Sequence, residues 1–449
     1  MKAFRLILGI LTAVLVFGCE TGDSEYKNFK VKDKESLEQT VYLGDTQASL
    51  TVDFTTTGPW TSSVEYFKNA NESAPSKAGE SSEWVTLEPS SGDKAGDYSV
   101  TIKLNPEAGT DIFMATITFV CKGEEMQVLL NNSPSVAPGS PDDVNNPEKI
   151  KAAMEKLEYG FWDARNAFYD IDDKYSTPES RKSLNSKNED LKKVWLESYK
   201  AINTCNLLLT ACEYEVIKEQ EREQVIAKAI NYRSMMHLNL ATLFGGVPVD
   251  TQYPAVSEPV RVMLQEVTDY IMKDCEDYIN RSTKTETELT EALFVNAVAS
   301  LLRAGTFDSD LVYARLIVMI DRITDENFVF EDSNMDGLIN QDDSHVGVQG
   351  CLFYAYVFSS IQHQKSVDTL NKLAEQLNDD MFRIDANALP DEIKQKVIDI
   401  LSGSWNRGVK YLVNRFMKNE DWGQHLNLLP IPMDIMSANR NLVQNPGWD

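Results

Sequence analysis

The hydrophobic period of this chain changes once, and the change divides it. Up to about Asn131 apolar residues recur at every second position; beyond Glu148 they recur every three to four. Period two describes a pleated strand with one buried face, and a period of 3.6 describes a helix, so the two stretches cannot share one regular architecture. Thr40–Leu43, Ser49–Phe54, Tyr98–Leu104 and Ala115–Val120 read as half-buried strands separated by Gly, Ser, Asp and Asn. Roughly seven such strands in about a hundred residues predict a β-sandwich over residues 32–131. Residues 132–148 carry four prolines and no apolar periodicity, which predicts a semi-rigid linker.

Residues 149–449 are expected to be helical. Ala201, Cys205, Leu208 and Cys212 lie on one stripe, with Trp195, Tyr199, Ile202 and Asn206 on the next. Val225, Ala229, Tyr232, Met236, Leu240 and Leu243 are spaced for one buried face of a second helix. That helix should stop at Gly245-Gly246-Val247-Pro248, because glycine ends a helix and proline prevents its resumption. Further helices are expected over 262–279, 286–304, 309–323, 350–377 and 390–417. Paired helices with short turns suggest tetratricopeptide-like stacking, which presents a surface for another protein. The whole is thus multidomain, all-β and then all-α.

The first residues form a targeting segment. Lys2 and Arg5 precede a twelve-residue apolar run, Leu6–Phe17, too short to span a bilayer. It ends in Val16-Phe17-Gly18-Cys19, which resembles a bacterial lipobox. On that resemblance residues 1–18 are a lipoprotein signal peptide, Cys19 carries the acyl chains, palmitate among them, and residues 19–31 are a tether to the membrane. The net charge of −26 disfavours nucleic acid and anionic lipid as partners, since both require basic patches. The other cysteines show neither a CxxC pair nor zinc spacing and are expected to be small buried hydrophobes.

Residues 330–344, F-E-D-S-N-M-D-G-L-I-N-Q-D-D-S, have metal-loop spacing. Counted from Asp332 as the first position, oxygen side chains fall at Asp332, Asn334, Asp336 and Asp343. Gly337 stands where the chain must turn, Leu338 offers its carbonyl, and Asn340 can bind through water. The run resembles an EF-hand-like calcium loop of the dockerin kind. Calcium takes six or seven hard oxygens, and without a cation these carboxylates would repel one another. A structural Ca2+ is expected here.

The end of the chain, Leu426–Trp448, is an apolar tail stiffened by Pro430 and Pro432, and it should dock back onto the body of the protein. Leu429-Pro430-Ile431-Pro432 and Asn439-Arg440-Asn441-Leu442-Val443-Gln444-Asn445-Pro446-Gly447-Trp448 resemble the C-terminal signature of the SusD/RagB family. The order of Trp195, Tyr199, Ile202, Asn206 and two leucines, and the Arg233 helix ending in Phe-Gly-Gly, are similar to that family's paired helices. Gly58-Pro59-Trp60, Trp84–Gly92 and the strand at Glu125–Leu130 resemble a BACON domain, an immunoglobulin-like module. Trp60 and Trp84 abut β-forming residues and are read as core, with the sandwich a spacer.

The resemblance implies a glycan-binding lipoprotein at the outer-membrane surface, the lid and partner of a SusC-like TonB-dependent transporter. An oligopeptide-binding lid, or a surface scaffold with no small ligand, are the alternatives. Sugars stack on aromatic faces, so Trp162 with Tyr169, Tyr175, and Trp405 with Trp422 are the ligand candidates. The four histidines are isolated, and neither a nucleophile elbow nor a phosphate-binding loop occurs, so no enzyme is expected.

Overall fold

The computed structural model describes residues 26–42, 49–67, 84–105, 114–133, 139–256, 259–282, 286–323, 345–420, 422, 426–439 and 441–448. Cys19 and the loop from Asp332 to Asp343 lie outside these residues. The chain divides into two compact units, residues 1–137 and 138–449.

The first unit is a two-sheet β-structure. Its strands are β1 (Phe29–Val31), β2 (Glu38–Tyr42), β3 (Ser49–Thr56), β4 (Trp60–Phe67), β5 (Val85–Glu88), β6 (Ser91–Gly92), β7 (Gly96–Leu104), β8 (Met114–Cys121) and β9 (Glu124–Ser133). One sheet has the order β1-β3-β7-β5 and the other β2-β9-β8-β4-β6. All pairings are antiparallel except that of β2 with β9. The alternation seen in the sequence sets the register: Val52 faces Val100, and Ile117 faces Val128, all four fully buried. Lys122 and Gly123, both at positive φ, make the two-residue turn between β8 and β9. Trp60 and Trp84 are buried as expected, and Trp60 meets Phe54 edge-on at 5.3 Å.

The second unit is helical. Its principal helices are α1 (Pro147–Lys174), α2 (Pro178–Arg181), α3 (Glu189–Glu213), α4 (Glu219–Phe244), α5 (Leu264–Ile279), α6 (Glu286–Ala304), α7 (Asp310–Ile323), α8 (His345–Phe358), α9 (His363–Gln376), α10 (Pro390–Ser402), α11 (Lys410–Leu412) and α12 (Met433–Ala438). From α3 to α9 each helix packs on the next, and α1 packs on α3.

Three details differ from the sequence reading. Most of the stretch read as a linker is structured: β9 runs to Ser133, and Pro141–Asn145 form a 3-10 turn capped by Ser140. Asn146 then caps α1, accepting from the N–H groups of Glu148 and Lys149. Prolines at the first position of these two helical segments start structure rather than space it, because a missing N–H costs nothing there. The helix expected over 350–377 is two helices. Its interruption falls at Ser359, whose hydroxyl bonds the Tyr356 carbonyl and competes with the backbone ladder. The helix expected over 390–417 likewise ends at Ser402, before Gly403, and resumes at Lys410, with Gly408 at φ 76° between.

Helix α4 was expected to bury one face. From Ala229 to Phe244 it is buried all round, because α1, α3, α5 and α6 all pack against it. Its polar side chains are therefore internal. Arg233 makes a two-pronged ion pair with Asp274, 2.9 Å on each arm, and donates to Asn206 Oδ1 at 2.8 Å. Asn206 in turn donates to the Asp250 carbonyl at 3.0 Å.

The tail docks on the C-terminal end of α4. The last carbonyls of a helix have no partner within it, and here residues far along the chain supply them. Leu429 N–H donates to the Leu243 carbonyl at 2.7 Å. Asn445 Nδ2 donates to the carbonyls of Phe244 and Leu429, and Arg261 reaches those of Phe244 and Gly246. Gln444 pairs with both backbone groups of Ile431. Leu429 and Ile431 are fully buried, and Trp448 is half-buried, its indole N–H on the Leu428 carbonyl.

Candidate ligand-binding cleft

Upstream of the docked tail, Arg415, Phe416, Asn419, Glu420, Trp422 and Asn427 form one wall of a cleft of about 730 Å3. That volume lies in the range of small-ligand sites, about 300–1,000 Å3. The opposite walls come from the α6–α7 turn, the end of α8, and Lys394 of α10.

Each wall has a local cause. Helix α6 ends where Gly305, at φ 71°, donates to the Leu301 carbonyl. The chain then turns with Asp308 N–H on the Thr306 hydroxyl, which places Phe307 in the turn. Tyr313 from the next helix donates to Asp308 Oδ1 at 2.8 Å and holds the turn in place. After α11 the backbone widens into one π-helical turn, Val413–Met417, closed by Lys418 N–H on the Val413 carbonyl at 2.9 Å. Such turns recur at functional sites, because the inserted residue shifts side chains out of helical phase. Here the turn carries Arg415 and Phe416, both half-buried.

Phe307 is the centre of an aromatic group. Its ring lies 5.5 Å from Tyr356, 5.7 Å from Phe353 and 6.1 Å from Phe416. Tyr356 is fixed by its hydroxyl on the Met417 carbonyl, and burial pushes its pKa above the ordinary tyrosine value. Phe307, Tyr356 and Phe416 line the cleft, and aromatic rings are the apolar surfaces on which sugar rings stack.

The wall is braced from behind by Arg181. It is 1% exposed and donates to the carbonyls of Tyr175, Leu426 and Asn427. Its guanidinium lies 4.3 Å from the Tyr411 ring centre and 4.7 Å from that of Trp422. Burial lowers its pKa to about 10, so it stays charged at neutral pH. Asp172, buried nearby, accepts from the N–H groups of Lys410 and Tyr411, and burial raises its pKa to about 6. Two atoms of the wall are left over: the indole N–H of Trp422 and Oε2 of Glu420 are buried with no hydrogen-bond partner among the described residues.

Of the aromatic candidates read from the sequence, the structure brings only Trp422 to this cleft. It forms the wall from within, at 3% exposure. Trp405 is buried edge-on against Phe382, and Tyr169 is buried under the Arg407 guanidinium at 4.6 Å. Neither presents a ring face to solvent. Tyr175 is half-buried, its hydroxyl accepting from Asn188 Nδ2. Trp162 is 43% exposed on α1, away from the cleft lining. The lining aromatics Phe307, Tyr356 and Phe416 were missed. Phe307 carried a signal, a lone aromatic in the polar turn Gly305–Asp308; Phe416 carried none, because a π-turn has no period of its own.

Among the described residues no cluster of His, Cys, Asp and Glu is placed to hold a metal ion, and no helix is long and apolar enough to cross a membrane. The five cysteines there are free and buried, as expected.

Residues 141–285 match the SusD-like family model described as starch-binding, associating with outer membrane. No curated protein matches the chain in sequence. Among solved structures, a SusD superfamily protein from Bacteroides vulgatus matches 68% of this chain and all of its own, at TM-score 0.51 and 8% identity. A SusD-like protein from Bacteroides fragilis matches 69% of this chain and 98% of its own, at TM-score 0.47 and 10% identity. Surface glycan-binding protein A from Bacteroides uniformis matches 65% of this chain and 99% of its own, at TM-score 0.42 and 13% identity. Residues 141–285 thus resemble the SusD-like family in sequence, and a fold like that of the Bacteroides vulgatus protein extends over 68% of the chain.

Proposed function

We propose that this protein is a binding protein rather than an enzyme, one that captures a glycan at the outer-membrane surface in the cleft around Phe307. The observation that carries the proposal is the match of residues 141–285 to a family described as starch-binding and outer-membrane-associated. The aromatic cleft supports it, since stacked rings and a few polar groups are what oligosaccharide recognition requires. Lipidation at Cys19 would tether the chain, and a SusC-like TonB-dependent transporter would be its partner, with this protein as the lid.

Calorimetry of the full chain against neutral and acidic polysaccharides and a peptide panel tests the ligand class. Heats from peptides alone would make it a peptide-binding lid, and flat traces throughout would leave only a scaffold. Purification in mild detergent tests the partner: the lid role requires a large β-barrel protein to come with it, and its absence would remove that role.

Calcium in the loop from Asp332 to Asp343 belongs to the same proposal, as a structural ion that joins α7 to α8. Excess EGTA should lower the melting temperature of the helical unit, and addition of Ca2+ should restore it. An unchanged melting curve would remove the ion from the proposal.

A further inference from the structure

The cleft also bears on which glycan. With a net charge of −26, the protein as a whole repels an anionic polymer. Two cations on the cleft nevertheless have no carboxylate partner among the described residues. The Lys394 ammonium lies 5.9 Å from the Tyr356 ring centre and, among the described residues, makes no ion pair or hydrogen bond. The Arg415 guanidinium lies 4.7 Å from the Phe416 ring centre and spends one N–H on the Tyr411 hydroxyl. Its other N–H groups are not engaged among the described residues.

Elsewhere in the helical unit, comparable cations are consumed internally: Arg233 by Asp274, and Arg165 by Glu291. Two carboxylates also line the cleft. Asp308 is engaged by the Tyr313 hydroxyl, and Glu420 keeps one oxygen buried and, among the described residues, unpaired. Neither forms an ion pair with Lys394 or Arg415 among the described residues.

We infer that the cleft takes an oligosaccharide that carries carboxylates, a uronic-acid glycan, with sugar rings on the aromatic group and carboxylates on Arg415 and Lys394. The inference rests on the glycan-binding proposal and narrows it. A guanidinium fork matches a carboxylate with two parallel hydrogen bonds, and a cation beside aromatic faces in a shielded cleft discriminates charge more strongly than one in open water. A neutral sugar would accept hydrogen bonds from these cations without compensating their charge.

Calorimetry with the full chain decides it. Galacturonate, glucuronate and mannuronate oligosaccharides would be compared with methyl-esterified galacturonate, which keeps the skeleton without the charge, with sulfated oligosaccharides, and with neutral gluco-oligosaccharides. One of the uronates should bind about tenfold or more tightly than the ester and neutral forms, and should weaken as salt is raised. Lys394→Gln combined with Arg415→Gln should abolish that preference without changing the melting curve. If neutral or esterified glycans bind as well as the acids, or if sulfated ones bind and uronates do not, the inference falls and the glycan-binding role stands. A preference for uronates that survives in the double variant would also overturn it. If no glycan of any kind binds, the broader role falls with it.

Discussion

The cleft-wall residues Arg415, Phe416, Asn419, Glu420, Trp422 and Asn427 and the tail that follows them, Leu428–Asn439 and Asn441–Trp448, build two surfaces of opposite polar character. The second stretch seats the tail on α4, and there the polar groups find partners inside the protein. Asn445 alone joins the Phe244 and Leu429 carbonyls to Arg261. The first stretch contributes to the cleft wall, and among the described residues Arg415 donates only to the Tyr411 hydroxyl while the Trp422 N–H and a Glu420 oxygen have no partner. A buried polar group left unpaired costs about 1–3 kcal/mol. A tail whose Asn445, Gln444 and Trp448 side chains are paired, next to a wall with two buried atoms unpaired among the described residues, suggests two roles: the seat holds the fold together, and the wall keeps binding capacity for something outside the chain.

The comparison can be broken by mutation, and the largest effect should come from the satisfied side. Arg233→Met would leave Asp274 buried and unpaired and should destabilise the helical unit by about 3–5 kcal/mol in urea melts. A loss below about 1 kcal/mol would show that the network is not structural. Asn445→Ala removes one of the links between tail and helix end and should cost about 2–3 kcal/mol, since the Leu429 carbonyl and one N–H of Arg261 lose a partner while the Phe244 carbonyl keeps Arg261. Ligand affinity should change only as far as folding does.

A third test uses pH. His237 is fully buried on α4, its Nδ1 3.0 Å from the Arg233 carbonyl, and burial, aided by the Arg233 charge, lowers its pKa from 6.5 to about 3. The unfolded chain takes up a proton below about pH 6.5 that the folded chain refuses until about pH 3. His237 therefore contributes stability above pH 6.5 that is lost as pH falls toward 3. Between pH 7 and 4.5 the loss should be about 2–3 kcal/mol. His237→Gln should flatten that part of the profile, and an identical slope in the variant would refute the assignment.

The smallest stability effect should come from the cleft. Phe416→Ala should reduce glycan affinity by about tenfold or more, while half-burial limits its cost in stability to about 1–2 kcal/mol. Loss of stability on the scale of Asn445→Ala, with affinity retained, would reverse the roles given to the two surfaces.

Much of the fold could be read before any coordinates. Alternation in β3, β7 and β8, the 3.6 period of α3 and α4, and the stop at Gly245 are local preferences summed along a segment, and packing confirmed them. The Asn206–Arg233 link joins two residues already marked out by resemblance, and the stiff tail docks as its apolar content required. The cleft was different. Trp405, Trp422 and Tyr169 were chosen for their ring chemistry, yet whether a ring faces solvent depends on what the other helices cover, and those helices covered all three. Residues 132–148 carry the same lesson, because proline at a helix start and proline in a spacer look alike until the cap residue is seen to bond.

The sequence by itself determined the order of a β-unit and a helical unit, the ends of several helices, and the stiffness of the final segment, since these depend on residues within a few positions of one another. Only the tertiary structure decided that α4 is buried all round, that Asn445 completes it from two hundred residues away, and that Phe307, Tyr356 and Phe416 converge. Those facts depend on which polar groups become cut off from water, and that is set by packing among segments far apart in the chain.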